Sequence, residues 1–432
     1  MISHSSSSIE PPGSAAESRL APSHPVRSEV PQNLCGVPAT ERMSVALMTP
    51  WDQQCGNAEY AKRLAVGLGQ FAEIRPFEMV NFNNPDLEYS RVRRWLICRR
   101  VAREVKASGC DLAHIQHEFC FFGRRIRESN ANFRRMIRRL RSPVVVTVHT
   151  WPWSRPLPHR KRRWLNWLAL LQRRLTKKHF LRTLKRVDAV VVHSKDTYQQ
   201  LINESPRWKK KTFCIPIPVE PIEQAGITPP LRKRPNEQWV VIPGFVSRYK
   251  GHMHALAALA QLPETYRLVI AGGVHPNDKT GNDYWMQLLA EADALGVQSR
   301  VIYTGFLRDP KVQAAVLHQA DCFLLPYDEV GQSGSAVLAD ALAHLRPVVT
   351  STAKSMFVYR GTLDTVTSSV AVDVTDPDLL ASAIVDCIES DPPRNPLMRS
   401  HQQAVSKTYS MDRTREQYRQ VYTFALSKGQ KP

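Results

Sequence analysis

The chain lacks long apolar runs, paired cysteines and, over one stretch, any negative charge at all. No segment approaches the roughly 18 uninterrupted apolar residues that a membrane-crossing helix needs, so none is predicted. The eight cysteines (Cys35, Cys55, Cys98, Cys110, Cys120, Cys214, Cys322 and Cys387) never form a Cys-x-x-Cys pair. Neither a zinc site nor a disulfide framework fits them, which implies a reducing, cytoplasmic setting. Residues 1–42 hold no lysine and no compact apolar segment, unlike a secretory signal. They are rich in Ser, Pro, Ala and Glu, and they are predicted to be disordered. Acidic residues are scarce: 39 Asp and Glu stand against 59 Lys and Arg, a net charge of +20. That excess predicts attraction to something anionic, such as nucleic acid, anionic lipid or a phosphorylated sugar. No helix-turn-helix, zinc-finger, RRM or KH pattern appears, so nucleic acid is the weakest of the three. No convincing Asp-x-Asp metal motif is present and the strand-borne histidines do not make a convincing metal set, so no metal is predicted.

What is there is an alternation of short apolar runs and helical periods, repeated in two series. With 432 residues and 43% apolar content, two to three domains with real cores are expected. The first series has strands at 43–49, 111–119, 142–151 and 187–196, followed by an extended piece at 214–220. A Pro-rich polar stretch, 221–237, reads as a linker. The second series has strands at 238–244, 266–273, 300–307, 322–325, 348–349 and 369–374. The last stretch, 409–426, reads as a helix. The expected class is α/β, with a domain over 43–220, a second over 238–405 and a C-terminal helix within 406–432 that packs back on the first domain.

The most informative unit is DCFLLPYDEVGQSGSAVLADALAHLRPVVTS, 321–351. Cys322 to Leu325 form a buried strand, Pro326 ends it, and Ser333 and Gly334 are expected to open a helix running to Leu345. A helix start with small residues leaves backbone N–H groups free to hold a phosphate. In the first series, Gly56 precedes a helix and allows close backbone approach. His114, His117, His149 and His193 lie at or near the carboxyl ends of three strands, the edge where open parallel sheets bind ligands. Between the last two of these strands, residues 155–186 carry twelve Lys and Arg and no acid. Trp164, Leu168, Leu171 and Leu175 recur there at helical spacing, a pattern that fits either a core-packed helix or a basic helix lying on anionic membrane.

Taken together, GFVSRYKG (244–251), LVIAGG (268–273), VIYTGFL (301–307), ADCFLLPY (320–327) and QSGSAVLADALAHLRPVVTS (332–351) resemble the retaining group 1 glycosyltransferases (family 4) of the GT-B fold. CGNAEY (55–60) and TVHT (147–150) resemble that family's first half. The resemblance covers about 43–426. It implies two facing Rossmann-like domains with a cleft between them and transfer of a hexosyl group from a nucleotide-diphosphate sugar to a sugar or lipid-linked acceptor, as in glycan, glycolipid or exopolysaccharide synthesis. It makes the nucleotide sugar a substrate, with no separate cofactor. Lys250 matches the lysine that neutralises the diphosphate. The family often has an arginine five residues earlier, where this chain has Phe245; Arg248 is the candidate substitute. Ser333 and Gly334 match the helix start under the phosphates, and Phe306 and Leu307 match the turn beside the base. The family's two glutamates fall on Gln332, toward donor-sugar hydroxyls, and Asp340, toward the ribose. His149 matches the histidine near the donor sugar, and Gly56 the glycine of the first loop. Rival readings are another GT-B activity, such as an epimerase or a sucrose- or trehalose-type synthase, and a non-catalytic nucleotide-sugar binder, which the uncharged Gln332 favours.

Overall fold

The structure, a computed structural model, describes residues 42–84, 86–154, 163–222, 226–276, 278, 280–329, 331–359, 369–389 and 396–429. The expected disorder of 1–42, apart from Arg42, lies outside the described residues, as do 223–225 of the linker and 155–162 of the basic stretch.

Among the described residues, twelve strands form two wholly parallel six-stranded sheets. The first takes β1 (Met43–Thr49), β2 (Ala72–Glu78), β3 (Leu112–His117), β4 (Val144–Val148), β5 (Ala189–Val192) and β6 (Thr212–Cys214), in the order β2-β1-β3-β4-β5-β6. The second takes β7 (Gln238–Pro243), β8 (Tyr266–Ala271), β9 (Val301–Tyr303), β10 (Cys322–Leu325), β11 (Val348–Ser351) and β12 (Val370–Val372), in the order β12-β11-β10-β7-β8-β9. Runs such as VVVTV and AVVV are buried along their whole length. That is what a parallel strand covered by helices on both faces requires.

Two strands escape a reading of apolar runs. β2 contains Pro76, which removes a ladder donor. It is tolerated because β2 is an edge strand. β6 is only three residues long and lies at the opposite edge; just beyond it Ile215 N still donates to the Val192 carbonyl of β5 at 2.9 Å, and Val219 N donates to the Tyr409 carbonyl at 2.8 Å.

One apolar core spans both halves. It joins Val45, Leu64 and Val145 to Trp239, Phe323 and Leu342. Tyr418, Val421, Tyr422 and Ala425 of the last helix, Met411–Gly429, fill the same core and are fully buried. That helix lies against the first half: Arg415 Nε donates to the carbonyl of Gly67 in helix Gly56–Leu68 at 2.7 Å, and Tyr422 meets Nδ1 of His114 on β3 at 2.8 Å. Separate cores cover the outer face of each sheet.

In the second sheet the strand order reverses between β7 and β10. At such a switch point the loops leaving two neighbouring strands diverge and open a crevice at their carboxyl ends. The two loops here are 244–251 and 326–335.

Candidate functional site

The loop after β7 is built by glycines. Gly244 has φ +87° and Gly251 φ +72°, both in the left-handed region. A Cβ on Gly251 would lie 1.8 Å from the Pro326 carbonyl oxygen, so only glycine lets the two switch-point loops touch. A Cβ on Gly244 would lie 2.5 Å from Lys250 Nζ and 3.6 Å from Val337 Cγ2, in the first turn of helix Ala336–Ala343. The Lys250 ammonium is thus lodged beside a bare glycine and near a helix N-terminus. It is 3% exposed and donates to the Pro243 carbonyl at 2.9 Å. It also sits 5.7 Å from the centre of the Tyr327 ring. Among the described residues no carboxylate pairs with it. Burial pushes it down to about 7.

The helix expected to open at Ser333 and Gly334 begins later. Ser335 is the N-cap, its hydroxyl accepting from Leu338 N at 3.1 Å. Leu345, expected inside that helix, follows it with φ +54°. Ser333 is used differently: its hydroxyl donates to the Val148 carbonyl at 2.9 Å, and its N–H donates to the His149 carbonyl at 2.8 Å. Trp151 N donates to the Gly331 carbonyl at 2.7 Å, completing an antiparallel bridge of Thr150 with Gln332. Loop 331–333 is therefore stitched to the end of β4. Gly334 lies against the first half too, where a Cβ would be 2.9 Å from His193 Cβ.

This stitching brings His149, His193 and Tyr60 under the second half's loop. The His149 and His193 rings are 5.0 Å apart, and Tyr60 lies 5.5 Å and 5.2 Å from them. His149 Nε2 bonds to Gln116 Oε1 at 2.7 Å. An amide oxygen only accepts, so Nε2 carries the proton and Nδ1 is left as a lone pair. Behind it, Gln116 Nε2 reaches His114 Nε2 at 3.3 Å, and His114 reaches Thr147 and Tyr422 at 2.8 Å each. Burial, reinforced by the neighbouring histidines, holds His149 well below its usual range. His193 is pushed down to about 4 by burial; its Nε2 has no hydrogen-bond partner among the described residues. His117 is remote from this group in role, boxed by Phe119, Phe122, Phe133 and Phe180.

The other candidates fall as follows. Phe306 is 45% exposed, so it is not a core residue. Its ring stacks on Phe245 at 5.4 Å and 3°, the two making an apolar plate from the loops that leave β7 and β9. Leu307 beside it is half-buried. Gln332 is half-buried; its N–H donates to Glu329 Oε2 at 2.7 Å and its side chain is bonded to the Tyr249 phenol. Gly56 is exposed at the first position of helix Gly56–Leu68, with open space where a Cβ would be. Two candidates are engaged elsewhere. Arg248 donates to Gln287 at 2.7 Å and lies over the Tyr284 ring, so its guanidinium is held by helix Gly281–Ala294 and not by the Lys250 pocket. Asp340 is ion-paired with Arg63 of the first half.

Sequence reasoning missed Gly244, Gln116, Tyr60 and Arg63. A glycine immediately after a buried strand was the available signal for the first. Gln116 lies between two strand-borne histidines, but nothing local marks which one it serves.

The architecture and the sequence agree with one family. Residues 237–390 match the family model described as Glycosyl transferases group 1, and residues 55–221 match the model Glycosyltransferase Family 4. Together the two cover about three quarters of the chain. The chain belongs to the group 1 glycosyltransferases. Solved structures share the fold of this glycosyltransferase at low identity. HepE of Anabaena in complex with UDP is 16% identical, with a TM-score of 0.61, covering 88% of this chain and 100% of that one. Sucrose-phosphate synthase of Thermosynechococcus elongatus is 18% identical, with a TM-score of 0.66, covering 90% and 100%. A UDP-forming α,α-trehalose-phosphate synthase of Burkholderia xenovorans, in complex with glucose-6-phosphate, is 11% identical, with a TM-score of 0.62, covering 88% and 100%. Comparison with curated protein sequences finds no match. Among the described residues no helix is long and apolar enough to cross a membrane.

Proposed function

We propose that this glycosyltransferase moves a hexosyl group from a nucleotide-diphosphate sugar to an acceptor hydroxyl with retention of anomeric configuration, in glycan, glycolipid or exopolysaccharide synthesis. The observation that carries the reading is Lys250: a buried ammonium with no counter-carboxylate among the described residues, next to the start of a helix, at a switch point. A diphosphate supplies the missing charge. As the bond from the anomeric carbon to the diphosphate oxygen breaks, the electron pair stays on the diphosphate. Lys250 and the N–H groups of the first turn of helix Ala336–Ala343 stabilise it, with the chain at Ser333 and Gly334 closing over the sugar. Preorganised donors of this kind are each worth roughly 10²–10³ in rate.

The Phe245–Phe306 plate, with Leu307, takes the base. Gln332 takes a donor hydroxyl, and Gly56 leaves room for the donor in the first loop. Asp340 takes the ribose, in competition with Arg63. His149, its Nε2 proton given to Gln116, offers a lone pair at Nδ1 and a backbone carbonyl already shared with Ser333. UDP is the first probe, because the HepE structures contain it. The test is Lys250→Met with folding verified by circular dichroism. Turnover and UDP binding should both collapse; unchanged turnover removes the diphosphate role.

A further inference from the structure

More than half of the exposed large apolar side chains in the described chain lie on three neighbouring helices of the first half. Val92 and Leu96 belong to helix Arg91–Ala107, and Ile126 to helix Ile126–Ile137. Trp164 and Trp167, 55% and 61% exposed, belong with four exposed leucines to helix Arg163–Leu184. All three helices cover the same face of the first sheet, since Cys98, Phe133 and Phe180 share one core there. Each follows one parallel strand and returns to the next, so each runs against the strands. Their N-terminal ends, where these apolar residues sit, therefore lie at the carboxyl edge of the sheet, the edge that carries His149.

Helix Arg163–Leu184 packs into the core through its second half, with Arg173 at its middle donating to the Trp153 carbonyl. Thr176, Phe180, Thr183 and Leu184 are buried, and Asn130 donates to the Thr176 carbonyl at 2.9 Å. Its first three turns carry Trp164, Trp167, Leu168, Leu170 and Leu171 exposed, on more than one side of the helix. The core-packed alternative for Trp164, Leu168, Leu171 and Leu175 is not what the structure shows, since all four are exposed.

The charge on the helices themselves is nearly all positive, although Asp86 and Glu88 are exposed in the loop that enters the first of them and Glu204 pairs with Lys177. The three helices carry seven, three and six Lys and Arg, against only Glu104 and Glu128. Glu128 is buried in an ion pair with Arg94, and Glu104 is paired with Arg100. A second copy would bring the same positive field face to face with itself. Exposed tryptophan and leucine ringed by Lys and Arg fit the boundary between anionic headgroups and acyl chains.

We propose that this three-helix edge docks on an anionic lipid bilayer, with the first turns of helix Arg163–Leu184 inserted. Docked so, the enzyme turns the carboxyl edge of its first sheet toward the surface, and the acceptor is a lipid-linked sugar or a lipid hydroxyl presented there. The acceptor part rests on the glycosyl-transfer reading; the docking does not.

The test is co-sedimentation of the full chain with phosphatidylcholine vesicles, with and without phosphatidylglycerol, followed also by tryptophan emission. Binding is expected only with phosphatidylglycerol, with a blue shift of the emission. The double variant Trp164→Ser/Trp167→Ser should lose about tenfold or more in partitioning and lose the shift. Arg174→Gln and Lys178→Gln should each cost about fivefold. All four side chains are exposed, so UDP-dependent thermal stabilisation should be unchanged in every variant. Equal binding to neutral vesicles, or full binding by the tryptophan variant, overturns the proposal. So does self-association without vesicles that buries the tryptophans. A chain that binds vesicles while Lys250→Met leaves turnover intact keeps the docking and loses the donor reading; the reverse result loses only the docking.

Discussion

Arg63 of the first half and Asp340 of the second form an ion pair across the cleft, Arg63 mostly exposed and Asp340 about a third. The aspartate proposed for the ribose is thus already held by a residue from the other side. A pair this exposed contributes at most about 1 kcal/mol to folding. Arg63→Ala should therefore leave the melting temperature almost unchanged. It should tighten UDP by about twofold to fivefold, the share of a weak exposed pair that the ribose no longer has to displace. Calorimetric titration of UDP reads this directly, and weaker binding would mean that Arg63 itself holds the nucleotide.

Lys250 links the donor site to pH. Its ammonium is pushed down to about 7, from an unfolded value near 10.5. Between those values the unfolded chain binds the extra proton, so stability rises with pH from about 7 to 10.5. Diphosphate binding favours the charged form and runs the other way. UDP affinity should be highest below about pH 7 and fall above it, by up to about tenfold per pH unit. In Lys250→Met the affinity slope should vanish, and the stability slope should shrink to what Lys211, pushed down to about 8 by burial, still supplies, as followed by titration and by urea unfolding between pH 7 and 9. A wild-type affinity that is flat over that range removes the linkage.

Gln116 fixes which nitrogen of His149 carries the proton. Gln116→Leu should cost about 1–3 kcal/mol in stability, because it leaves buried partners unsatisfied. It should also lower kcat with little change in the donor KM. Gln116→Glu keeps an acceptor for Nε2–H and should recover turnover while moving the acid limb of the pH–rate profile upward, since a nearby carboxylate favours the protonated imidazole. If the two variants have the same kcat and pH profile, Gln116 is only a core residue.

Gly334 meets His193 where the halves are stitched. Gly334→Ala places a Cβ 2.9 Å from His193 Cβ, between groups that cannot easily retreat. The expected result is a loss of roughly 1–3 kcal/mol, the usual range for overpacking, and a rise in donor KM. Denaturant unfolding and steady-state kinetics check both. Wild-type values for both would mean that the halves separate there without cost.

Much of this was legible along the chain and some of it could not be. Strands such as VVVTV announce themselves by apolar runs, and two series of them imply two sheets. β2 hides because Pro76 interrupts its pattern, and only its edge position, a tertiary fact, makes that harmless. Lys250 was readable because it follows a buried strand and precedes Gly251. The helix start was misjudged by two residues, because Ser333 and Ser335 are equally good caps locally. What separates them is Val148, which claims the Ser333 hydroxyl from 185 residues away. Arg63, 277 residues from Asp340, had no local signature. Exposure of the Trp164 stripe was undecidable too, since a helical period says which residues share a side and not what faces them.

Tyr418, Val421, Tyr422 and Ala425 come from the last helix yet line the core beneath the first sheet. A ribosome delivers β1 to β6 long before those four residues leave the exit tunnel. Until synthesis is nearly finished, the nascent first half has an oily, uncovered side and depends on chaperones or on patience. A chain cut before Met411 would keep that side for good, and should precipitate instead of yielding a smaller working enzyme.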